Sequence, residues 1–200
     1  MNSQKILFSL LLSCLSITCV AQDDKAIQKE IKSLLSKSGK SFMELENEKS
    51  IQLANEALDL AVSHNQHLLA AKAYNLIGLN FAEFSDLQKS ISYYKKGLTY
   101  ANKTNNDTIK GWLNNNLANV YCYNEVNYEE GIKHYKLGIQ YSQKFNDISE
   151  ITFSKMNLVS ALFKVGNYAE GIGYLNDVKN YVDTEGDIEA KITMNLLYAN

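Results

Sequence analysis

The chain has 200 residues, 46% of them hydrophobic and 21% charged, with a net charge of -2. That is an ordinary composition for a folded chain with one core. Lysine supplies every positive charge and no basic cluster appears, which excludes a segment built to track nucleic-acid phosphates. Proline is absent, so long helices turned by Gly, Asn and Asp are favoured.

Residues 1–21 read as a secretory signal. Lys5 precedes an apolar run from Ile6 to Val20, and small residues at Cys19-Val20-Ala21 lead into the polar Gln22-Asp23-Asp24. Cleavage after Ala21 and a periplasmic or other extracytoplasmic location are the expectations. A membrane-spanning anchor fits less well, because Ser9, Ser13 and Ser16 break a run shorter than the roughly 20 residues that a span needs. Leu11-Leu12-Ser13-Cys14 resembles a lipobox, so a lipidated Cys14 is an alternative route to the membrane. Cys14 and Cys19 leave with the signal. Cys122 then stands alone and reads as a small buried hydrophobe.

Ile27, Ile31, Leu34 and Leu35 follow helical spacing, and Ser36 to Ser41, with Gly39, is expected to interrupt it. Helix resumes near Glu44 and runs to about Ser63. Further helices are predicted over Leu68–Phe84, Leu87–Asn102, Thr108–Tyr123 with Asp107 as N-cap, and Tyr128–Lys144. Asp147-Ile148-Ser149-Glu150 has capping-box spacing and opens a helix to about Lys164. Tyr168–Tyr181 follows, and Glu185-Gly186-Asp187 introduces a last helix from Ile188. Ile192, Leu196 and Leu197 share one face of that helix and meet no later helix in this sequence. The expectation is the front part of a longer protein, attached to a membrane either beyond Asn200 or through Cys14.

The helices repeat. Ser50-Ile51 recurs as Ser90-Ile91, Gly131-Ile132 and Gly171-Ile172, a period of 40 or 41 residues. Ala54, Tyr94, Tyr135 and Leu175 follow at a constant offset, and Ala57, Gly97, Gly138 and Val178 come next on that face. Such a unit cannot bury its apolar face alone, so stacked units share one core.

Tyr74, Ile77-Gly78, Phe81, Ser90, Tyr94 and Gly97 in the second unit carry a resemblance to the tetratricopeptide repeat. Leu117-Ala118, Tyr121, Gly131, Tyr135 and Gly138 continue it in the third unit, and Leu158-Val159, Leu162, Gly171 and Leu175 in the fourth. The closing Pro is missing and the period is longer than usual. The third unit has one extra residue in its turn. The resemblance implies an all-α, right-handed superhelical solenoid of antiparallel helix pairs. Its units would span 25–63 (degenerate), 68–103, 108–145 and 148–182, with 187–200 as the first helix of a fifth.

The same resemblance implies that the first helix of each pair, the A helix, lines a groove for a protein or peptide partner. Lys72, Asn75 and Leu79 would face it from the second unit. Trp112, Asn115, Asn119 and Tyr123 would face it from the third, and Phe153, Met156, Ser160 and Phe163 from the fourth. Asn75, Asn115 and Asn119 could form an amide ladder holding a peptide backbone, since an amide both donates and accepts. Exported repeats of this kind resemble the N-terminal sensor portions of bacterial membrane-bound signalling proteins, with a free or tethered scaffold as the alternative. No phosphate loop, dinucleotide fingerprint, nucleophile elbow or metalloprotease motif is present, so neither catalysis nor a cofactor is expected. His64, His67 and His134 are too few and too scattered for a metal site.

Overall fold

The computed structural model describes residues 2–124, 127–185 and 188–198; the side chains of residues 2–22, 123–124 and 188–189 fall outside the description. The expected signal segment and Cys14 therefore lie outside the described side chains. The chain is 87% helical and the described residues contain no strand. It is an all-α solenoid of antiparallel helix pairs. In chain order the helices are α1 (Asn2–Met43), α2 (Asn47–Ser63), α3 (His67–Glu83), α4 (Leu87–Ala101) and α5 (Asp107–Asn119). A π-turn (Val120–Asn124) follows, then α6 (Tyr128–Lys144), α7 (Ile148–Lys164), α8 (Tyr168–Thr184) and α9 (Ile188–Tyr198).

The 40-residue period has a simple origin. Helices α2, α3, α6, α7 and α8 each contain 17 residues. Three residues join α2 to α3, α3 to α4, α6 to α7 and α7 to α8. Seventeen plus three is 20, and two such steps make one unit. Each of these turns, and the one after α1, places one residue in the left-handed region: Leu45, Asn65, Ser85, Asn146 and Gly166, with φ between 54° and 76°. In four of them the next amide reaches back five residues, as in Asp86 N to Phe81 O at 2.9 Å and Gln66 N to Ala61 O at 2.8 Å. That is the bond that closes a Schellman motif, and it satisfies carbonyls at the helix end that would otherwise lack donors.

Two expectations about boundaries are corrected. Ser36 to Ser41 does not interrupt the first helix, which continues to Met43. Ile31, Leu34, Leu35, Ser38 and Ser41 are all buried and fall at one helical spacing. The serines thus extend the buried stripe at the crossing with α2, where Ser38 Oγ donates to Ser50 O at 2.8 Å. A small hydroxyl can sit there because its hydrogen bond is met. At α5 the N-cap is Asn106, whose side chain accepts from Ile109 N at 3.0 Å, and Asp107 is already helical.

The third unit's extra residue is taken up in the π-turn, whose wider ring holds one more residue than an α-turn. The buried Cys122 on this turn lies against Gly131, where any Cβ would collide with its Sγ. A similar notch lies at Gly78, where a Cβ would come within 2.5 Å of the Tyr94 ring. Tyr94 is only 1% exposed, so the missing Cβ lets a whole aromatic ring enter the core. Where α3 meets α4 a small residue admits a large one, whereas α1 meets α2 through Ser38 and Ser50, and α5 meets α6 through Gly111 and Gly138.

Candidate functional site

The face carrying the A helices α1, α3, α5 and α7 holds the residues expected to bind a partner. The geometry divides them into two groups. Lys72 and Asn75 on α3 and Trp112 on α5 come together. With Leu35 and Ser36 on α1, Leu76 on α3 and Ile109 on α5 they line a cleft of about 250 Å³. Leu79 and Trp112 also pack against the core cluster between α3, α4 and α5, which fixes the Trp112 ring as a wall. Lys72 makes no ion pair among the described residues.

The second group is engaged with the protein itself. Asn115 Nδ2 donates to Glu150 Oε1 and to Ser154 Oγ on α7. Asn119 Oδ1 accepts from Tyr135 OH at 2.6 Å and from Asn157 Nδ2 at 3.5 Å. Asn75 is buried, and its Oδ1 accepts from Asn116 Nδ2 at 2.9 Å. The amides thus tie neighbouring units together, because residues about one period apart stand side by side across a seam. A free ladder of donor–acceptor pairs does not form.

Met156 is 2% exposed and belongs to the core between α7, α8 and α9, so it cannot touch a partner. Its position follows the buried stripe of α7 through Thr152 and Val159, at helical spacing. Phe153 on the same helix is exposed. Ser160 and Phe163 share a hollow of about 290 Å³ with Lys164, Tyr168 and Leu197 at the far end of the face. The side chain of Tyr123 lies outside the described residues.

Asn116, Asn157 and Ser154 were not singled out in the sequence, and Glu150 was read only as part of a helix cap. Their separations of 41, 38, 35 and 39 residues from their partners are the signal that could have found them. Burial pushes the Glu150 carboxyl above its ordinary value, and the bond from Asn115 opposes that shift. The Asp147 cap on α7 is made, Glu150 N donating to Asp147 Oδ1 at 3.0 Å. The Glu150 carboxylate, however, turns to Asn115, so the capping box is half formed.

Burial raises the Cys122 thiol to about 11, which leaves it protonated and unreactive at neutral pH. His134 is half-buried, and desolvation holds it below its usual value. Its Nδ1 lies 2.8 Å from Asn114 Oδ1 and its ring stacks on Tyr121. Among the described residues no group of three or more His, Cys, Asp and Glu could hold a metal ion. No helix among them is long and apolar enough to cross a membrane.

No family model matches the chain, and no curated protein matches it. Solved structures do. The apo form of RapI aligns with a TM-score of 0.77 at 16% identity, over 97% of this chain and 55% of that one. Aspartyl phosphate phosphatase F from Bacillus subtilis aligns with a TM-score of 0.77 at 17% identity, over 86% and 44%. BtubC (BKLC) from P. vanneervenii aligns with a TM-score of 0.70 at 15% identity, over 100% and 84%. The chain spans about half the length of the first two. At such identities the likeness establishes a helical-repeat fold and leaves activity open.

Proposed function

We propose that the chain is a protein- or peptide-binding module, not an enzyme, and that the cleft between α1, α3 and α5 is where it takes its partner. The observation that carries this reading is the meeting of Lys72, Asn75 and Trp112 from two units in one cleft. A half-buried tryptophan against apolar walls, with a few polar groups at the rim, is the composition of an anchor site. At about 250 Å³ the cleft lies below the range of drug-sized pockets, and it suits one or two side chains of a longer partner. Helical-repeat solenoids usually present such surfaces to other chains.

In the finer form of this proposal the module is exported and serves as the sensor part of a bacterial signalling protein. Support comes from the apolar, small-residue-terminated segment over residues 1–21. A scaffold tethered through Cys14 is the second reading, favoured by Leu11-Leu12-Ser13-Cys14. Mass analysis of the mature N-terminus separates them: Gln22 as first residue supports free export, and a lipidated Cys14 supports the tether.

Selection of displayed random peptides against the full chain tests the binding reading. Enriched peptides should lose at least tenfold in affinity to Trp112→Ala while that variant keeps its helical circular dichroism. Peptides that bind Trp112→Ala as well as the parent chain, or no enrichment at all, would overturn it.

A further inference from the structure

The stretch from residue 87 to residue 106 holds four lysines and no carboxylate, in a chain whose net charge is -2. Three of the lysines, Lys89, Lys96 and Lys103, are seven residues apart, so they fall in one row along α4 and its C-terminal end. All three are exposed. Lys89 is paired with Asp86 at 2.7 Å. Lys96 and Lys103 make no ion pair among the described residues.

The row stands on a ladder of rings. Phe81, Tyr93, Tyr74, Tyr100 and His67 follow one another between α3 and α4, with neighbouring centroids 5.3, 6.2, 5.4 and 5.9 Å apart. His67, Tyr74 and Phe81 are themselves seven apart on α3, as are Tyr93 and Tyr100 on α4. The phenylalanine and tyrosine rings pack against the core between α1, α2 and α3 and remain half-buried. Lys89 Nζ lies 5.1 Å from the Phe81 centroid, Lys96 Nζ 5.1 Å from that of Tyr93, and Lys103 Nζ 4.8 Å from that of Tyr100. A ring face attracts an ammonium, so each long side chain is held down in one place. Less rotamer freedom is then left to lose when an anion arrives.

We infer that this row is a second interface, separate from the cleft, and that its occupant is an amphipathic helix of a partner protein with a carboxylate at every seventh position. The sign of the row calls for an acidic partner, and its spacing calls for a helix. At a rise of about 1.5 Å per residue the row repeats every 10.5 Å or about that, an interval which a second helix lying alongside α4 reproduces step for step. An extended chain does not, because side chains on one of its faces recur at about 6.8 Å, every second residue. A single row of lysines without arginine is also a poor cradle for nucleic-acid phosphates. The partner's carboxylates meet Lys96 and Lys103, which no acid of this chain holds among the described residues. Its apolar residues lie on the exposed parts of the rings between the lysines.

Fluorescence anisotropy with the full chain and three labelled, stapled helical peptides tests this. The first has glutamates in one row at every seventh position with leucines beside them. The second has the same residues with the glutamates spread around the helix, and the third replaces glutamate by glutamine. At low salt the first should bind about tenfold more tightly than either of the others, as two or more preorganised surface ion pairs would give. The double variant Lys96→Gln/Lys103→Gln should reduce that preference to about twofold or less while keeping its helical circular dichroism. Trp112→Ala should leave the preference unchanged, which separates this interface from the cleft. Equal binding of the rowed and spread peptides, or no binding by any of the three, would overturn the helical partner. A preference that survives the double substitution, or one that is lost with Trp112→Ala, would overturn the assignment to α4. A single-stranded oligonucleotide or a phosphatidylserine vesicle that binds more tightly than the rowed peptide, and is lost with the double substitution, would overturn it in favour of a nucleic acid or a membrane. None of these failures touches the cleft, whose own test is the peptide selection against Trp112→Ala.

Discussion

The seam between α3 and α5 and the seam between α5 and α7 use the same kinds of side chain to different ends. Across the first, one amide pair, Asn116 to Asn75, is made, and beside it a cleft remains open against Trp112. Across the second, Asn115 and Asn119 reach Glu150, Ser154 and Asn157, and Met156 nearby is sunk in the core. An asparagine on this face is therefore a tie wherever a polar partner stands one period away. It is a candidate recognition group only where part of its amide is left over.

The comparison can be broken most directly at its two large side chains. Met156→Ala should cost about 2–5 kcal/mol, the range for truncating a buried methionine. Trp112→Ala removes more atoms yet should cost less stability, because its ring is only half-buried and borders a cleft. Urea unfolding of both variants checks the order, and the reverse order would mean that Trp112 is a core residue.

The ties come next. Asn119→Ala removes an acceptor of the buried Tyr135 hydroxyl and should cost about 1–3 kcal/mol. Asn116→Ala breaks a pair at the rim and should cost about 0.5–1.5 kcal/mol. If Asn116→Ala proved the more damaging, the open seam would be the structural one.

Glu150 gives the smallest and most specific effect. Its carboxyl is raised in the folded chain by burial, so the folded state holds its proton more tightly than the unfolded state does. Ionisation of this group therefore subtracts stability as pH rises from below the ordinary glutamate value of 4.5 through the raised folded value. Glu150→Gln should shift the urea midpoint upward at pH 7, and the difference should vanish below pH 4.5. A constant difference across that range would mean that the Asn115 bond cancels burial, and a downward shift that grows with pH would mean that it outweighs burial.

The fold was legible because small residues and aromatics recur at fixed spacing, and the notches at Gly78 and Gly131 are what that spacing encodes. The continuity of α1 was hidden, since Ser36 to Ser41 carries a breaker composition and only the Ser38–Ser50 contact shows why the helix persists. The π-turn was visible only as a surplus residue in the third unit. For the site, the repeat resemblance put Lys72, Asn75 and Trp112 on the A-helix face, and the three line one cleft. It could not tell which amides would find partners across a seam, because that depends on residues a full unit away. The same limit placed Met156 in the groove: one step around a helix separates the groove face from the core.

The 20-residue step has a consequence for how the chain can change. Because five of the described turns share one left-handed residue, the molecule has equivalent joints 20 residues apart, at Leu45, Asn65 and Ser85 and again at Asn146 and Gly166. Excising 40 residues between two equivalent joints preserves the up-and-down alternation of the remaining rods. Excising 20 would reverse every rod downstream and present hydrophobic seams to water. Length variation in such an architecture is thus quantised in whole pairs, and a lone surplus residue must be swallowed inside a helix, as it is at Val120–Asn124.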